Sequence, residues 1–490
     1  MTHKEVCTIL GCAPPGTPFT CDAVTEDSRK ARPGTVFVAS PGSRHDGHDF
    51  AEAAAGQGAV AVAGNREGQT EIAGVPYLYV DRPRRAAGLL AHALAAHPAD
   101  AMTVVGITGT NGKSSTACLI QAVLQAAGHT TGNFGTMGYD IESRTIPARH
   151  TTPFGEELAA IFAEARDAGV THVAMEVSSH ALEQDRIAGI SFDVAAFTNL
   201  TQDHLDYHLD MESYRMAKLR LFELVARPSG LAVVNADDGA ADFFVAAARA
   251  RCHSYGQEGD VRASGIEPGF DGSRFHLVTP WGEAPVHLRL LGRHNIWNAL
   301  CAATICAGMG IPVETVAQGL AALPSVPGRF EPVFAGQDFH VIVDYAHTDD
   351  GLENVLNAAR ELCAGRIITV FGCGGDRDRG KRPKMGLVAG RLSDCAVLTS
   401  DNPRTEEPLR ILNDVEPGLR KAGMRRDQGY LVMPDRREAI TRAVGLAKPG
   451  DLVMIAGKGH EDYQILGTER IHFDDREVAA EALQRRFRST

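Results

Sequence analysis

The segment with the clearest chemical meaning is an apolar run followed by a polar, glycine-containing loop and a helical pattern. Residues 102–107 are apolar or β-branched and predict a buried strand. Residues 108–115 form the loop, and the apolar spacing after it predicts a helix that ends near Gly128. In a strand–loop–helix turn, backbone N–H groups and the positive helix end face one point, where a phosphate can bind. The segment therefore predicts a nucleotide-phosphate loop, with Lys113 on the β- and γ-phosphates and the Ser114 hydroxyl toward Mg²⁺.

The match to the general phosphate-loop pattern is incomplete. That pattern has a glycine five residues before Gly112, where this chain has Ile107, and Gly106 lies one position too early. The prediction therefore depends on the flanking strand and helix. The alternative is a glycine-rich turn beside an exposed lysine.

Acidic and histidine side chains follow two further predicted strands of the same region. Glu176 ends a strand predicted at 171–175, and a carboxylate there, in a sheet that carries a phosphate loop, is well placed to hold Mg²⁺. The segment 203–208, rich in Asp and His, is either a structural surface cluster or the source of one metal ligand. Lys218 lies on a predicted helix and, by itself, is typical of a solvated lysine.

Strands and helices alternate in the last third of the chain, which predicts a doubly wound sheet. Ligands of such sheets bind beyond the carboxyl ends of the strands, where polar loops follow each run here. In these loops Arg377 and Arg404 could each form a forked pair with a carboxylate of a ligand, or pair with surface acids. The predicted strands are 341–344, 366–371, 395–400 and 451–456.

The sequence pattern alone leaves the role of two more polar groups undecided. Segments 27–29 and 42–47 flank a strand predicted at 35–39 and, taken alone, are typical of solvated turns. Asn295 and Asn298 stand at the head of a predicted helix, where their amides could bind a base or cap the helix.

Length and composition set the broad class. A chain of 490 residues predicts about three domains, which we place at 1–98, 99–328 and 329–490. The hydrophobic content of 44% and the charged content of 22% are typical of soluble globular proteins. The net charge of −12 argues against nonspecific nucleic-acid binding, which needs a basic face.

The cellular setting predicted from the sequence is the cytoplasm. None of the ten cysteines forms a CxxC pair or a metal-finger spacing, so reduced thiols are the simplest interpretation. The N-terminal residues lack the long apolar core of a signal peptide, and no uncharged apolar run is long enough to span a membrane.

Taken together, several of these segments resemble the Mur ligases of peptidoglycan synthesis. The resemblance follows the family's order over nearly the whole chain. The motifs that carry it are Thr108 to Ser114, Glu176 to His180, Asp203 to His208, Tyr214 to Lys218, His294-Asn295 with Asn298, Asp344 to His347, and Gly457 to His460.

The resemblance implies an α/β protein with a small N-terminal α/β domain for the uridine nucleotide, a central phosphate-loop ATPase domain and a C-terminal Rossmann-like, doubly wound domain for the amino acid. It implies that ATP phosphorylates the D-glutamyl carboxylate of a UDP-linked dipeptide and that an amine then attacks the acyl phosphate. The expected partners are small molecules only, and we expect a monomer.

The resemblance also assigns metal and catalytic roles. Mg²⁺ is expected on Ser114 and Glu176, and a second Mg²⁺ on His204. Lys218 matches the lysine that the family carbamylates, which turns a cation into a carboxylate-like metal ligand. With Lys113 on the γ-phosphate, these residues are the expected catalytic set.

Substrate contacts carry over by position. Expected ATP contacts are Gly109, Thr110, Asn111, Gly112, Lys113, Ser114, Ser115, Asn295, Asn298, Arg329 and Asp344. Expected contacts to the UDP-linked substrate are Ser28, Ser43, Arg44, His45, Thr151, Thr152, Ser178, Gln184 and Arg186. Expected contacts to diaminopimelate are Arg377, Asp401, Asn402, Pro403, Arg404, Gly457 and Glu461.

The segment 401–404, Asp-Asn-Pro-Arg, favours diaminopimelate as the added amino acid. Lysine-adding relatives lack that arginine, and Arg404 can clamp the distal carboxylate that distinguishes diaminopimelate from lysine. Discrimination of roughly 10⁴-fold is reasonable for a site that requires a polar partner. The alternatives are a sister ligase for lysine or another amino acid, a folylpolyglutamate synthetase-like ligase, and a nucleotide-binding regulatory protein without catalysis.

Overall fold

Five strands form the sheet nearest the N-terminus of this computed structural model, which describes residues 1–42, 45–142, 144–225 and 229–488. The strands are β1 (Ala23–Thr25), β2 (Thr35–Ala39), β3 (Ala59–Gly64), β4 (Glu71–Ile72) and β5 (Val75–Tyr79), in the order β1-β2-β3-β5-β4. The helices are α1 (His3–Leu10), α2 (Ala51–Gly56) and α3 (Pro83–Leu94). All strands but β4 are parallel to their neighbours, and every residue of β2 is buried, as expected for a parallel strand covered on both faces.

An eight-stranded sheet follows, and it carries the predicted phosphate loop. Its strands are β6 (Thr103–Thr108), β7 (Thr131–Gly135), β8 (Gly138–Ile141), β9 (Arg144–Ile146), β10 (His172–Glu176), β11 (Val194–Phe197), β12 (Leu231–Asn235) and β13 (Arg251–Tyr255). The helices are α4 (Lys113–Ala126), α5 (Gly155–Asp167), α6 (Ser179–Glu183), α7 (Leu205–His208), α8 (Met211–Leu224) and α9 (Ala241–Ala247). The order β13-β12-β11-β6-β10-β7-β8-β9 is parallel from β13 to β7, so the loops after β6, β7, β10 and β11 share one edge.

A small antiparallel sheet and two helices come next in the chain. The strands are β14 (Arg262–Gly269), β15 (Gly272–Thr279) and β16 (Gly282–Leu288), and the helices are α10 (His294–Gly308) and α11 (Val313–Ala322). This agrees with the antiparallel strands and turns expected between 256 and 290.

The last sheet is doubly wound, as predicted. Its strands are β17 (Glu331–Pro332), β18 (His340–Asp344), β19 (Ile367–Phe371), β20 (Cys395–Leu398), β21 (Tyr430–Val432) and β22 (Leu452–Ala456), in the order β17-β18-β22-β19-β20-β21; β23 (Tyr463–Leu466) and β24 (Glu469–His472) form a separate hairpin. The helices are α12 (Asp349–Leu362), α13 (Lys381–Leu392), α14 (Pro408–Lys421), α15 (Arg436–Leu446) and α16 (Asp475–Arg488). Helices α12 to α14 cover one face and α15 and α16 the other, so the strands of the sheet are buried on both sides.

The chain divides into two compact units. The first contains residues 1–260 and 304–311, and the second contains 261–303 and 312–490. None of the helices in the described part of the chain is long and apolar enough to cross a bilayer.

Candidate active site

The loop between β6 and α4 is hydrogen-bonded to the loop after β11. The backbone N–H of Thr110 donates to the Asn199 carbonyl at 2.8 Å, and the N–H of Asn111 donates to the Asn199 side chain at 2.9 Å. Gly109 has a φ of 148°, and a Cβ there would lie 1.8 Å from the Thr198 hydroxyl oxygen, so only glycine fits. The predicted strand–loop–helix turn is therefore present, with the N-terminus of α4 at its end.

The structure brings Ser114 and Glu176 together, as the sequence predicted for a metal site. Glu176, at the end of β10, is 2% exposed. Its Oε1 accepts hydrogen bonds from the Ser114 hydroxyl at 2.8 Å and from the Thr136 backbone N–H at 2.9 Å. A Cβ on Gly135 would lie 2.2 Å from that oxygen, so the carboxylate can occupy this position only because residue 135 is glycine. A hydroxyl and a carboxylate oxygen beside a phosphate loop are donors that suit Mg²⁺.

Lys218 is buried, at 1% exposure, so the interpretation as a solvated lysine is wrong. Its Nζ donates to the Gly109 carbonyl at 2.7 Å and lies 4.4 Å from the centroid of the Tyr214 ring. Lys113 donates to the same carbonyl at 2.9 Å. Burial lowers the pKa of the Lys218 amine well below its usual range, and repulsion from Lys113 lowers it further.

His204 lies beside two ring side chains, His180 and Tyr214. Its ring centroid is 4.8 Å from that of His180 and 6.2 Å from that of Tyr214. Its Nε2 is 3.4 Å from a carboxylate oxygen of Asp203. His204 therefore shares one neighbour, Tyr214, with the buried lysine.

The predicted contacts to the body of the UDP-linked substrate join the same network. The Thr151 hydroxyl is 3.0 Å from that of Thr136, and the Thr152 hydroxyl donates to the Glu176 carbonyl at 2.9 Å. The Ser178 backbone N–H donates to the Thr152 hydroxyl at 3.1 Å, and Arg186 donates to the Thr152 carbonyl at 3.0 Å. Gln184 accepts from Arg186 at 2.8 Å.

The predicted uridine contacts lie on the first sheet. Ser28 begins a 3₁₀ turn, Ser28–Lys30, that follows β1. His45 is exposed in the loop after β2, and its carbonyl accepts from the Gly42 N–H at 3.0 Å. Ser43 and Arg44 lie outside the described residues.

The predicted adenine-nucleotide contacts form two pairs in the second unit. Asn298 donates to the Asn295 side-chain oxygen at 2.9 Å, and Asn295 donates to the Leu291 carbonyl at 2.7 Å. The Asn295 amide N–H₂ therefore binds a carbonyl that precedes the helix. The Arg329 guanidinium lies 4.6 Å from the centroid of the Tyr345 ring, and burial raises the pKa of the neighbouring Asp344 carboxyl, an effect that Arg329 opposes.

One side of the predicted diaminopimelate pocket is a buried polar cluster. Glu461 Oε2 accepts from Asn402 at 2.9 Å and from Lys458 at 3.0 Å. Asn402 and Lys458 are 3% and 0% exposed. Within the described part of the chain, the hydrogen bonds to the Glu461 carboxylate all go to Oε2, so Oε1 can still accept one. Asp401 and Gly457 lie together, because a Cβ on Gly457 would be 2.7 Å from Asp401 Oδ2.

The two predicted arginines flank Gly374 on the other side. A Cβ on Gly374 would lie 2.9 Å from Arg404 Nη1 and 3.7 Å from Arg377 Cγ. Arg404 donates to the Gly375 carbonyl at 2.8 Å, and Arg377 is exposed. The Pro403 carbonyl lies directly against Gly375. Among the described residues neither arginine pairs with an acid, so the surface-pair alternative is wrong for both.

Three residues of these networks were missed by sequence reasoning. Thr136 follows β7, a strand that we did not predict, because its sequence Thr-Gly-Asn-Phe-Gly has little apolar periodicity. Tyr214 and Lys458 stood inside motifs but were given no role. The spacing of three residues between Lys458 and Glu461 was the available signal for their ion pair.

Known protein families match most of the chain. The family model described as Mur ligase middle domain matches residues 107–306, the one described as Mur ligase, glutamate ligase domain matches 328–459, and the one described as Mur ligase family, catalytic domain matches 20–96. The three-domain α/β class is thereby confirmed, while the boundaries at 98 and 328 stay a prediction.

Curated relatives and a solved structure match over nearly the full length. UDP-N-acetylmuramoyl-L-alanyl-D-glutamate–2,6-diaminopimelate ligase of Geobacter sulfurreducens is 47% identical over 94% of this chain and 93% of its own. The protein of the same name from Geobacillus thermodenitrificans is 46% identical over 95% of each chain. A solved structure of a protein with that name superposes with a TM-score of 0.70 at 32% identity over 99% of both chains. With these relatives and three family models in agreement, the chain belongs to the Mur ligase family.

Proposed function

We propose that this protein is an ATP-dependent ligase that adds meso-2,6-diaminopimelate to UDP-N-acetylmuramoyl-L-alanyl-D-glutamate, in the synthesis of peptidoglycan precursors. The observation that carries the proposal is the near-half identity, over almost the full chain, with relatives named for this reaction. The phosphate loop and the two-arginine pocket supply its physical basis. We further propose that the enzyme works in the cytoplasm as a monomer on small-molecule substrates.

The first task of the site is to bring two anionic substrates together. A carboxylate is a poor acyl donor, and phosphorylation by ATP gives it a leaving group. The loop amides at the start of α4 and the Lys113 ammonium stand where the β- and γ-phosphates would bind. Thr151, Thr152 and Ser178, which are hydrogen-bonded to Glu176 directly or through a neighbour, stand where the accepting carboxylate would come.

Mg²⁺ fits the oxygen donors of this edge of the sheet. Ser114 and Glu176 would hold one ion, and His204 with a carbamylated Lys218 a second. Burial shifts the Lys218 amine toward its neutral form by lowering its pKa, and the neutral amine is the form that reacts with CO₂, so Lys218 fits carbamylation. When bound, the metal ions would neutralise charge on the transferring phosphoryl group.

The second unit would bind the incoming amino acid. Glu461 Oε1 is available to an ammonium group, and the Arg377 and Arg404 guanidiniums are available to carboxylates. Diaminopimelate carries two ammonium groups and two carboxylates, so one such end can be held while the other amine attacks the acyl phosphate. Asn402 and Lys458 fix the Glu461 carboxylate by hydrogen bonds to its other oxygen.

A lysine-adding ligase is the second candidate, and the pocket disfavours it. Lysine lacks the distal carboxylate, so it would leave Arg404 without an ionic partner, which costs binding energy in a half-buried site. A non-catalytic regulator would be expected to lack Lys113, Glu176, His204 or Lys218, and the chain has them all.

The deciding experiment is release of phosphate from ATP in the presence of the UDP-linked dipeptide. We expect strong dependence on meso-diaminopimelate and little release with L-lysine at equal concentration. Equal rates with both amino acids would keep the ligase and refute the assigned role of Arg404. No release with either, although Mg²⁺-ATP binds, would refute the proposed reaction.

A further inference from the structure

Two arginine side chains of the first unit lie over one aromatic ring. The guanidinium carbon of Arg186 is 4.1 Å from the centroid of the Phe154 ring, and that of Arg84 is 5.9 Å from the same centroid. Glu26 is the one acid within ion-pair range of either guanidinium among the described residues, with a carboxylate oxygen 3.9 Å from Arg84 Nε. That distance is too long for a hydrogen bond.

The other partners of these two cations are neutral. Arg186 donates to the Thr152 carbonyl at 3.0 Å and to the Gln184 amide oxygen at 2.8 and 3.1 Å. Arg84 donates to the Pro41 carbonyl at 3.1 Å. Burial raises the pKa of the Glu26 carboxyl, an effect that Arg84 and Arg186 oppose, and one carboxylate cannot balance two guanidiniums. The cluster therefore holds an excess of positive charge, which an anionic ligand would neutralise.

Close backbone packing fixes the distance between the two arginines. Gly88 lies one turn after Arg84 on the same face of α3. A Cβ on Gly88 would lie 2.6 Å from the Ala188 carbonyl oxygen, and a Cβ on Gly155 would lie 2.6 Å from the Gly88 Cα. Gly155 directly follows the stacked phenyl ring, and Ala188 closely follows the second arginine. The backbone segments that carry the two cations are thus in close contact with each other.

The position of the pair indicates which anion it binds. Arg84 contacts the loop after β2, which carries the expected uridine contact His45, whereas Arg186 contacts Thr152 among the expected contacts to the rest of the substrate. In the substrate, the group between uridine and the muramoyl sugar is a diphosphate. We propose that Arg84, together with Arg186, binds the diphosphate of the UDP-linked substrate, an inference that rests on the proposed function. Guanidinium forks match phosphate oxygens in geometry and charge.

The test compares binding of UDP and UMP, which differ by one phosphate, to the full-length wild type and three variants. Arg84→Ala is expected to weaken UDP binding roughly 10- to 100-fold and UMP binding much less, since a charge-assisted contact to the second phosphate is lost. Arg84→Lys should fall between, because lysine keeps the charge and loses the fork. Arg85→Ala, at the exposed neighbouring position, is the matched control and should bind both nucleotides as the wild type does.

Three results would overturn the proposal: unchanged UDP binding in Arg84→Ala, equal losses for UDP and UMP, or a loss confined to the complete dipeptide substrate. Thermal melting identifies a variant that folds poorly. Arg84→Gln, which keeps a polar side chain but carries no charge, then replaces it. The nucleotide assay needs no turnover. A wild type that binds UDP through Arg84 without making tripeptide would refute the proposed function alone, and full ligation with unaltered UDP binding in Arg84→Ala would refute only this inference.

Discussion

At the scale of single residues, the site depends on charges whose partners are carbonyls, rings or uncharged amides. Arg404 donates to a backbone carbonyl, and Lys218 donates to the same carbonyl as Lys113. Such groups carry charge or nucleophilicity that the protein leaves available for ligands. Ion pairs elsewhere, such as the fully buried Arg436–Asp475 pair at 2.6 Å, have both charges satisfied by each other, so neither charge is left for a ligand.

Arg404→Ala is expected to raise the KM for diaminopimelate about tenfold or more, because a charge-assisted contact to the distal carboxylate is lost, while the KM for ATP barely moves. Steady-state phosphate release measures both. Arg410→Ala is the control, since that side chain is 82% exposed on α14. An unaltered KM for diaminopimelate would remove Arg404 from the pocket.

Lys218→Ala is expected to abolish ligation, and short carboxylic acids are expected to restore part of it by supplying the missing carboxylate. Lys421→Ala, an exposed lysine at the end of α14, should be fully active with or without the acids. The readout is tripeptide formation over a range of acetate concentrations, together with a melting curve for each variant. Full activity in Lys218→Ala would end the carbamate assignment.

At the scale of elements, the proposed metal site depends on how closely β7 approaches β10. The turn after β7 supplies both the Gly135 gap and the Thr136 N–H that orient Glu176. The end of this strand therefore positions Glu176, although none of the strand's side chains indicates this.

Gly135→Ala is expected to lower kcat about 10- to 100-fold and to raise the Mg²⁺ concentration required, because the added Cβ displaces the Glu176 carboxylate from Ser114. Titration of Mg²⁺ at saturating ATP measures this. Gly132→Ala is the control in the same strand, since the nearest contact of its added Cβ is 3.1 Å. Equal Mg²⁺ dependence of the two variants would contradict the assigned role of β7.

At the scale of the whole molecule, the first unit joins its two sheets through the packing of α3 on α5. His92 of α3 lies in this packing at 0% exposure, and neither ring nitrogen has a hydrogen-bond partner among the described residues. Burial lowers the pKa of its imidazole to about 4. The charge of His97 contributes to this lowering of the pKa, and the charge of Asp100 opposes it. The packing that fixes the Arg84 cluster therefore contains a group that resists protonation.

We expect His92 to make the protein less stable in acid. Since the pKa is about 4 in the folded state and about 6.5 when unfolded, the unfolded chain binds the extra proton as pH falls through this window, and stability is lost there. The free energy of unfolding should fall by up to about 3 kcal/mol between pH 6.5 and 4 from this group. His92→Leu should flatten that slope in denaturant titrations, and the half-buried His3→Gln should not. An unchanged slope in His92→Leu would refute this account.

Much of the fold and part of the site follow from the sequence alone. The phosphate loop is recognisable because strand, glycine turn and helix are encoded within a few adjacent residues, where backbone geometry decides the outcome. The doubly wound sheet follows from alternating strand and helix patterns, whereas the proposed selectivity role of residues 401–404 depends on the family resemblance.

Only the tertiary structure revealed the contacts between residues that are distant in sequence. Lys218 reads as a solvated lysine in any local pattern, and only packing against Tyr214 and a carbonyl 109 residues away makes it buried. Arg84 and Arg186 approach the same Phe154 ring because α3 and α5 pack closely at Gly88 and Gly155. Burial and pairing are properties of the packed chain, because they depend on which surfaces exclude water together, and no single segment contains that information.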